Sequence, residues 1–265
     1  MKIRPPFKMH GGKYYLNSWI IENMPANYEQ LDYIEPFCGA ANVLINKNQS
    51  NLEVISDIDE KIIFIMKALR DSPEKFIKKI KNTTYSENVF NKSLKNKELE
   101  DEFDIAVNEF ILRRMSRGGM KKNFAWSERK RGGLPGDVNA WKTISKELFK
   151  ITKRLEKVII LNKSAFEIIE TFNYENALIY ADPPYVPDTR ISKNVYDNEM
   201  TLEEHEKLGN LLNRFKGKVI ISGYPSTLYK KLFKEWKCIK KKIPNHSSQK
   251  KQKDIKTECL WVNFS

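Results

Sequence analysis

Ala177-Leu178-Ile179-Tyr180-Ala181-Asp182-Pro183-Pro184-Tyr185 is the stretch on which the reading of the fold turns. Its first five residues are apolar without alternation, which suits a strand buried on both faces of a parallel sheet. Two prolines then end the run. Each fixes φ and removes a backbone donor, so the turn is rigid and its carbonyls find no partner in the local chain. Outward from here, Leu31 to Phe37, Leu52 to Asp57, Val158 to Leu161 and Lys218 to Ser222 are further short apolar runs. Helical periods lie between them: Leu16, Trp19, Ile20 and Met24; Ile62, Ile65, Met66 and Leu69; Trp141, Ile144, Leu148, Ile151 and Leu155; Leu208, Leu211, Leu212 and Phe215. Strand-helix alternation predicts an α/β sheet covered on both faces. Thr201 with Glu204 forms a capping box that starts a helix after the loop that follows Tyr185. Beyond Lys218, a Ser-Gly-Tyr-Pro turn, a short helix to Trp236 and strands at Cys238 to Ile243 and Glu258 to Phe264 predict an antiparallel hairpin that closes the sheet.

From Asp71 to Ala140 the strand signal disappears and the chain is polar, lysine-rich and helical. The expectation is one domain formed by residues 1–70 and 141–265, with 71–140 as an inserted subdomain. The 265 residues suffice for a full-sized core. Lys and Arg number 47 against 34 Asp and Glu, a formal charge of +13, which suits either a polyanionic partner or simply a basic surface. The three cysteines make neither a disulfide framework nor a C-x-x-C pair, so a reducing compartment and no metal are expected. No apolar stretch reaches the roughly 20 residues needed to cross a bilayer, and the start lacks a signal-peptide core. The expected location is the cytoplasm, away from membranes.

Three features sit at the carboxyl ends of strands, where an open α/β sheet binds its ligand. Glu35-Pro36-Phe37-Cys38-Gly39-Ala40-Ala41 is a small-residue turn, either one that lets backbone N–H groups approach a ligand or a plain strand-to-helix turn. Asp57 ends the next strand, placed to accept from two ribose hydroxyls or to cap a helix, a role that Asp59 fits better. Phe7-Lys8-Met9-His10-Gly11-Gly12-Lys13 lacks phosphate-loop spacing. There Lys13 either engages a carboxylate, flanked by Met9, or is an ordinary exposed charge.

Asp182-Pro183-Pro184-Tyr185 falls at the same edge. Its carboxylate and the Pro183 carbonyl form an acceptor pair suited to the two N–H groups of an aromatic amine. Tyr185 offers a flat face on which a base could stack. Whether Asp182 takes a proton or only polarises the amine is open.

Taken together, the tetrapeptide, the Gly-Gly-Lys entry and the Glu-Pro-Phe-x-Gly-Ala turn resemble the Dam-like N6-adenine DNA methyltransferases, above all the shorter phage and prophage members. The likeness runs from Phe7 to Phe264 and includes Phe124-Ala125-Trp126-Ser127, Pro135-Gly136-Asp137-Val138, Ser222-Gly223-Tyr224-Pro225 and Thr257-Glu258-Cys259-Leu260-Trp261. The resemblance implies a Rossmann-like seven-stranded methyltransferase sheet and S-adenosyl-L-methionine as cofactor, bound through Met9, Lys13, Asp57 and Asp182, with Glu35, Phe37 and Gly39 in the turn beside them. It implies catalysis at Asp182, Pro183, Pro184 and Tyr185 by base flipping and direct in-line transfer. Two departures stand out: Met9 and His10 replace a tryptophan before the Gly-Gly-Lys turn, and Asn162-Lys163-Ser164 replaces an acid that contacts the cofactor's adenine. Asp rather than Ser at 182 favours adenine. N4-cytosine or RNA-adenine methylation, and a non-catalytic DNA-binding protein on the same fold, are the alternatives. C5-cytosine chemistry needs a cysteine nucleophile, and Cys38 sits in the cofactor turn.

Double-stranded DNA is the expected partner, with the protein a monomer or weak dimer. Arg113, Arg114, Arg117, Lys121, Lys122, Arg129, Lys130 and Arg131 stand against the single acid Glu128, with Phe124 and Trp126 interleaved. Basic groups neutralise phosphates and aromatics wedge or stack; Trp126 is read either as such a wedge or as a core anchor. A second cluster, Lys237 to Lys256, falls in the closing hairpin. The loop from Val186 to Met200, with Arg190, Lys193 and Tyr196, is placed to close over a flipped base or simply to be surface.

Overall fold

The protein is seen in a computed structural model in which residues 2–9, 11–96, 98–187, 199–244 and 255–265 are described. The β-strands are β1 (Asp32–Glu35), β2 (Leu52–Ser56), β3 (Lys130–Arg131), β4 (Leu134–Pro135), β5 (Ile159–Leu161), β6 (Ala177–Ala181), β7 (Lys218–Gly223), β8 (Lys237–Pro244) and β9 (Ile255–Val262). Seven of them form one sheet in the order β5-β2-β1-β6-β7-β9-β8. The helices are α1 (Asn17–Glu22), α2 (Glu60–Asp71), α3 (Pro73–Lys81), α4 (Glu87–Lys95), α5 (Glu102–Met115), α6 (Gly136–Leu155), α7 (Ala165–Thr171), α8 (Leu202–Asn213) and α9 (Thr227–Leu232). The chain divides into two compact units.

One unit comprises Glu22–Phe37, Asn48–Ile58 and Lys163–Ser265. Here β2, β1, β6 and β7 run parallel, with Glu35 opposite Ile55, Ile34 opposite Ile179 and Ala181 opposite Ile221. β6 is buried at all five positions, as its apolar run requires. β9 then pairs antiparallel with β7 and β8, so the predicted closing hairpin forms. The registers bring Phe37, Asp57, Asp182 and Tyr224 to one edge of these strands. Ser164 and Thr201 both make full capping boxes, which set the starts of α7 and α8.

The other unit comprises Met1–Ile21, Cys38–Lys47 and Asp59–Asn162. It is mainly helical, packed around Phe76, Phe90, Phe110, Trp141 and Leu148, all buried. The predicted insertion, 71–140, falls wholly inside it. Two details depart from the sequence reading. α6 starts at Gly136, so it runs through the boundary expected at Ala140. Strands also reappear within the insertion, as the β3–β4 hairpin. Each of its strands has two residues, too short for alternation to show, and its turn is made by Gly132 and Gly133, with φ of 58° and 77°. A β-carbon on either glycine would meet nothing within 4 Å.

Candidate active site

Asp182 directly follows β6, and its Oδ1 accepts a hydrogen bond from Ser222 Oγ at 2.7 Å. The Ala181–Ile221 register makes this contact possible across 40 residues of chain. The Tyr180 hydroxyl lies 3.3 Å from the same serine oxygen. Serine has one proton to give. When the carboxylate takes it, Tyr180 must donate to Ser222, and the two hydroxyls form a donor chain that ends on Asp182. Burial, then the charge of Asp182, holds the Tyr180 phenol well above its ordinary range, so its proton stays in place.

Tyr185 is only 8% exposed. Its hydroxyl donates to Glu258 Oε1 at 2.6 Å, a short charge-assisted bond to a carboxylate that β9 buries. The Tyr224 ring packs against it, centroids 4.3 Å apart and planes at 55°. Lys256 Nζ in turn stands 4.8 Å from the Tyr224 centroid. The tetrapeptide is thus clamped at both ends, Asp182 by Ser222 and Tyr185 by Glu258.

Along the same edge, Glu35 is buried at the end of β1 and accepts from the Tyr33 hydroxyl at 2.9 Å. Burial, then the Glu35 charge, holds the Tyr33 phenol protonated. Phe37 and Asp57 are half-buried. The helix cap is Asp59, whose side chain accepts from the Lys61 amide, so Asp57 is not spent on that role. Ser56 Oγ bonds the backbone of Lys163 in both directions, at 2.9 and 3.1 Å.

In the helical unit, Gly39 has φ of 47°, and a β-carbon there would sit 2.7 Å from Met9 Sδ. At Gly12 it would sit 3.2 Å from the Met9 carbonyl. Glycine is therefore favoured at the first position by its left-handed backbone, the flexible Met9 tip being able to shift, and at the second by the close Met9 carbonyl. Lys13 is 4% exposed and its Nζ donates to the Gly11 carbonyl at 3.1 Å, so the ordinary-exposed-charge reading fails. His10 lies outside the described residues.

The basic segment divides in two. Arg113, expected on a DNA-facing surface, is 4% exposed and bonds Glu109 at 2.7 Å and Asp59 at 2.9 Å. Lys121 joins the same Glu109 at 3.0 Å. These two cations serve the interior of the unit, and the signal was present in the sequence: Glu109 stands one helical turn before Arg113. Arg114 is half-buried, and burial pushes its pKa down to about 10. Arg117, Lys122, Arg129 and Lys130 are exposed, and Arg131 lies in β3. Trp126 is 54% exposed, so it is not a core anchor. Its neighbour Ala125 is held instead, by Met115 and by the Tyr85 hydroxyl at 2.6 Å. Arg190, Lys193 and Tyr196, and positions 245–254 of the second basic cluster, lie outside the described residues. Among the described residues no helix is long and apolar enough to cross a membrane, and no acidic, histidine or cysteine cluster is built to hold a metal.

A largely parallel sheet closed by an antiparallel strand pair, with a carboxylate and proline-fixed carbonyls at the end of a central strand, defines a Rossmann-like S-adenosylmethionine-dependent methyltransferase. The D12 class N6 adenine-specific DNA methyltransferase family matches residues 10–251, and the chain belongs to that family. It is a DNA methyltransferase with S-adenosylmethionine as methyl donor. The chain is 26% identical to the type II methyltransferase M.CviBI of Paramecium bursaria Chlorella virus NC1A, over 88% of this chain and 92% of that one. It is 24% identical to the type II methyltransferase M.MjaIII of Methanocaldococcus jannaschii over the whole of both chains. Among solved structures, a putative RNA methyltransferase from Pyrococcus horikoshii aligns over 97% of this chain and 84% of that one, with 7% identity and a TM-score of 0.41.

Proposed function

We propose that the chain methylates the exocyclic N6 of an adenine flipped out of double-stranded DNA. The Asp182 carboxylate, oriented by Ser222 beside the proline-fixed carbonyl of Pro183, carries the reading. The lone pair of an aromatic amine is delocalised into the ring. Accepting its two N–H bonds at Asp182 and Pro183 makes the nitrogen more tetrahedral and aims the lone pair outward. Pro184 keeps the turn rigid, and Tyr185, held by Glu258 and packed against Tyr224, is the aromatic we assign to the flipped base. The cofactor supplies a methyl group on a good sulfonium leaving group, so positioning and charge complementarity suffice without a covalent enzyme intermediate.

Met9, Lys13, Glu35, Phe37, Gly39, Asp57 and Asp182 are the residues we assign to S-adenosylmethionine. Their chemistry fits: the buried Lys13 ammonium suits a carboxylate, Asp57 suits ribose hydroxyls and Phe37 gives a purine an apolar face. Arg114, Arg117, Lys122, Trp126, Arg129, Lys130 and Arg131 are assigned to the duplex, mainly its phosphates. Incubation with labelled S-adenosylmethionine and duplex DNA, followed by nucleoside analysis, tests the proposal. N6-methyladenine is expected, with Asp182→Ala inactive yet folded by circular dichroism. Label confined to N4-methylcytosine or to RNA, or an active Asp182→Ala, overturns it.

A further inference from the structure

Asn42 follows a turn in which Gly39 and Ala41 both hold positive φ, 47° and 48°. The alanine is the informative one, because a left-handed backbone costs a side-chain-bearing residue free energy and persists where the surroundings demand it. Asn42 is 6% exposed. Its backbone carbonyl accepts from Asn46 Nδ2 at 3.0 Å and Asn17 Nδ2 at 3.5 Å, but its side-chain Oδ1, fully buried, receives no donor among the described residues. A buried amide oxygen without a donor is destabilising, and in native proteins such an atom calls for a partner.

The surroundings indicate which partner. A β-carbon on Gly12 would lie 3.3 Å from Asn42 Nδ2 and 3.2 Å from the Met9 carbonyl, and one on Gly39 would lie 2.7 Å from Met9 Sδ. Met9, Gly12, Gly39 and Asn42 are therefore one close-packed group, and the next residue after Gly12 is the buried Lys13. A buried cation and a buried acceptor on adjoining turns match a ligand that carries an anion and a cationic donor close together. The α-amino acid end of S-adenosylmethionine has its carboxylate and its ammonium on the same carbon. Its adenine and ribose offer donors but no anion for Lys13.

We propose that Asn42 Oδ1 is a cofactor acceptor, taking a hydrogen bond from the α-ammonium group while Lys13 Nζ meets the carboxylate. This rests on the S-adenosylmethionine reading given above. It assigns Asn42 a role that neither composition nor the motif spacing indicates.

Calorimetric titration of the full chain with three ligands tests it: S-adenosylhomocysteine, its analogue with hydrogen in place of the α-ammonium, and 5′-methylthioadenosine, which lacks the amino acid end. Asn42→Leu removes the acceptor at similar volume, and Asn42→Asp keeps one. Asn42→Leu is expected to weaken S-adenosylhomocysteine roughly 10- to 100-fold, the range for a hydrogen bond to a charged group. The deaminated analogue and 5′-methylthioadenosine should bind Asn42→Leu as they bind the parent, and Asn42→Asp should retain S-adenosylhomocysteine. Unchanged S-adenosylhomocysteine affinity in Asn42→Leu overturns the inference, as does an equal loss for all three ligands, which would mark a purely structural role. Failure of the parent chain to bind S-adenosylhomocysteine at all would instead overturn the cofactor reading itself.

Discussion

A carboxylate that must hold an amine is useful only in one orientation, and Ser222 supplies the restraint on Asp182. Removing one hydrogen bond to a charged group costs about 1.5–3 kcal/mol. If that cost falls on the oriented transition state, Ser222→Ala should lower kcat by at least about tenfold with KM for DNA and cofactor little changed. Ser222→Thr, which keeps the hydroxyl, should recover part of the loss. Glu258→Gln should be milder than Glu258→Leu, because an acceptor for Tyr185 survives in the former. Steady-state kinetics check both pairs, and a change confined to KM would count against the restraint. These supports were not legible from spacing: Ser222 and Glu258 lie 40 and 73 residues from the groups they hold, and only the sheet register brings them there. Asp59 was legible, since capping follows local chemistry, whereas the burial of Lys13 was not, because a lysine beside two glycines is ordinarily exposed. Arg113 was misplaced because clustered charge suggests a surface until its acidic partners are found.

At the scale of elements, the short apolar runs translated into strands nearly residue for residue, most completely in β6, where burial at every position leaves only one way to use the run. The β3–β4 hairpin did not, since two-residue strands carry no period. Contacts between elements have pH signatures. Tyr174 donates to Asp32, at the start of β1, at 2.8 Å. Burial, then that bond and the Asp32 charge, pushes its pKa up to about 12 from 10.0. A raised phenol pKa stabilises the fold fully below pH 10 and loses that contribution as pH rises toward 12. Denaturation midpoints measured between pH 9 and 12 should therefore fall less steeply for Tyr174→Phe than for the parent; parallel curves would contradict the linkage.

For the whole molecule, Arg113 and Lys121 are paired with Glu109 and Asp59 inside the helical unit, so the net excess of +13 is carried by other residues. The exposed Arg129 and Lys130 are among them. If each neutralises one phosphate, replacing both with alanine should reduce the slope of log affinity against log salt by about 2, whatever the DNA sequence. Fluorescence anisotropy from 50 to 200 mM salt reads this directly, and an unchanged slope would remove the hairpin from the interface. The hairpin's turn has a stereochemical consequence as well. Gly132 and Gly133 hold left-handed backbones with open space where side chains would go, so the turn excludes one chirality rather than bulk. A mirror-image alanine introduced there by chemical ligation would match the backbone that its natural enantiomer strains, and would stiffen the tip without altering any of the charges beside it.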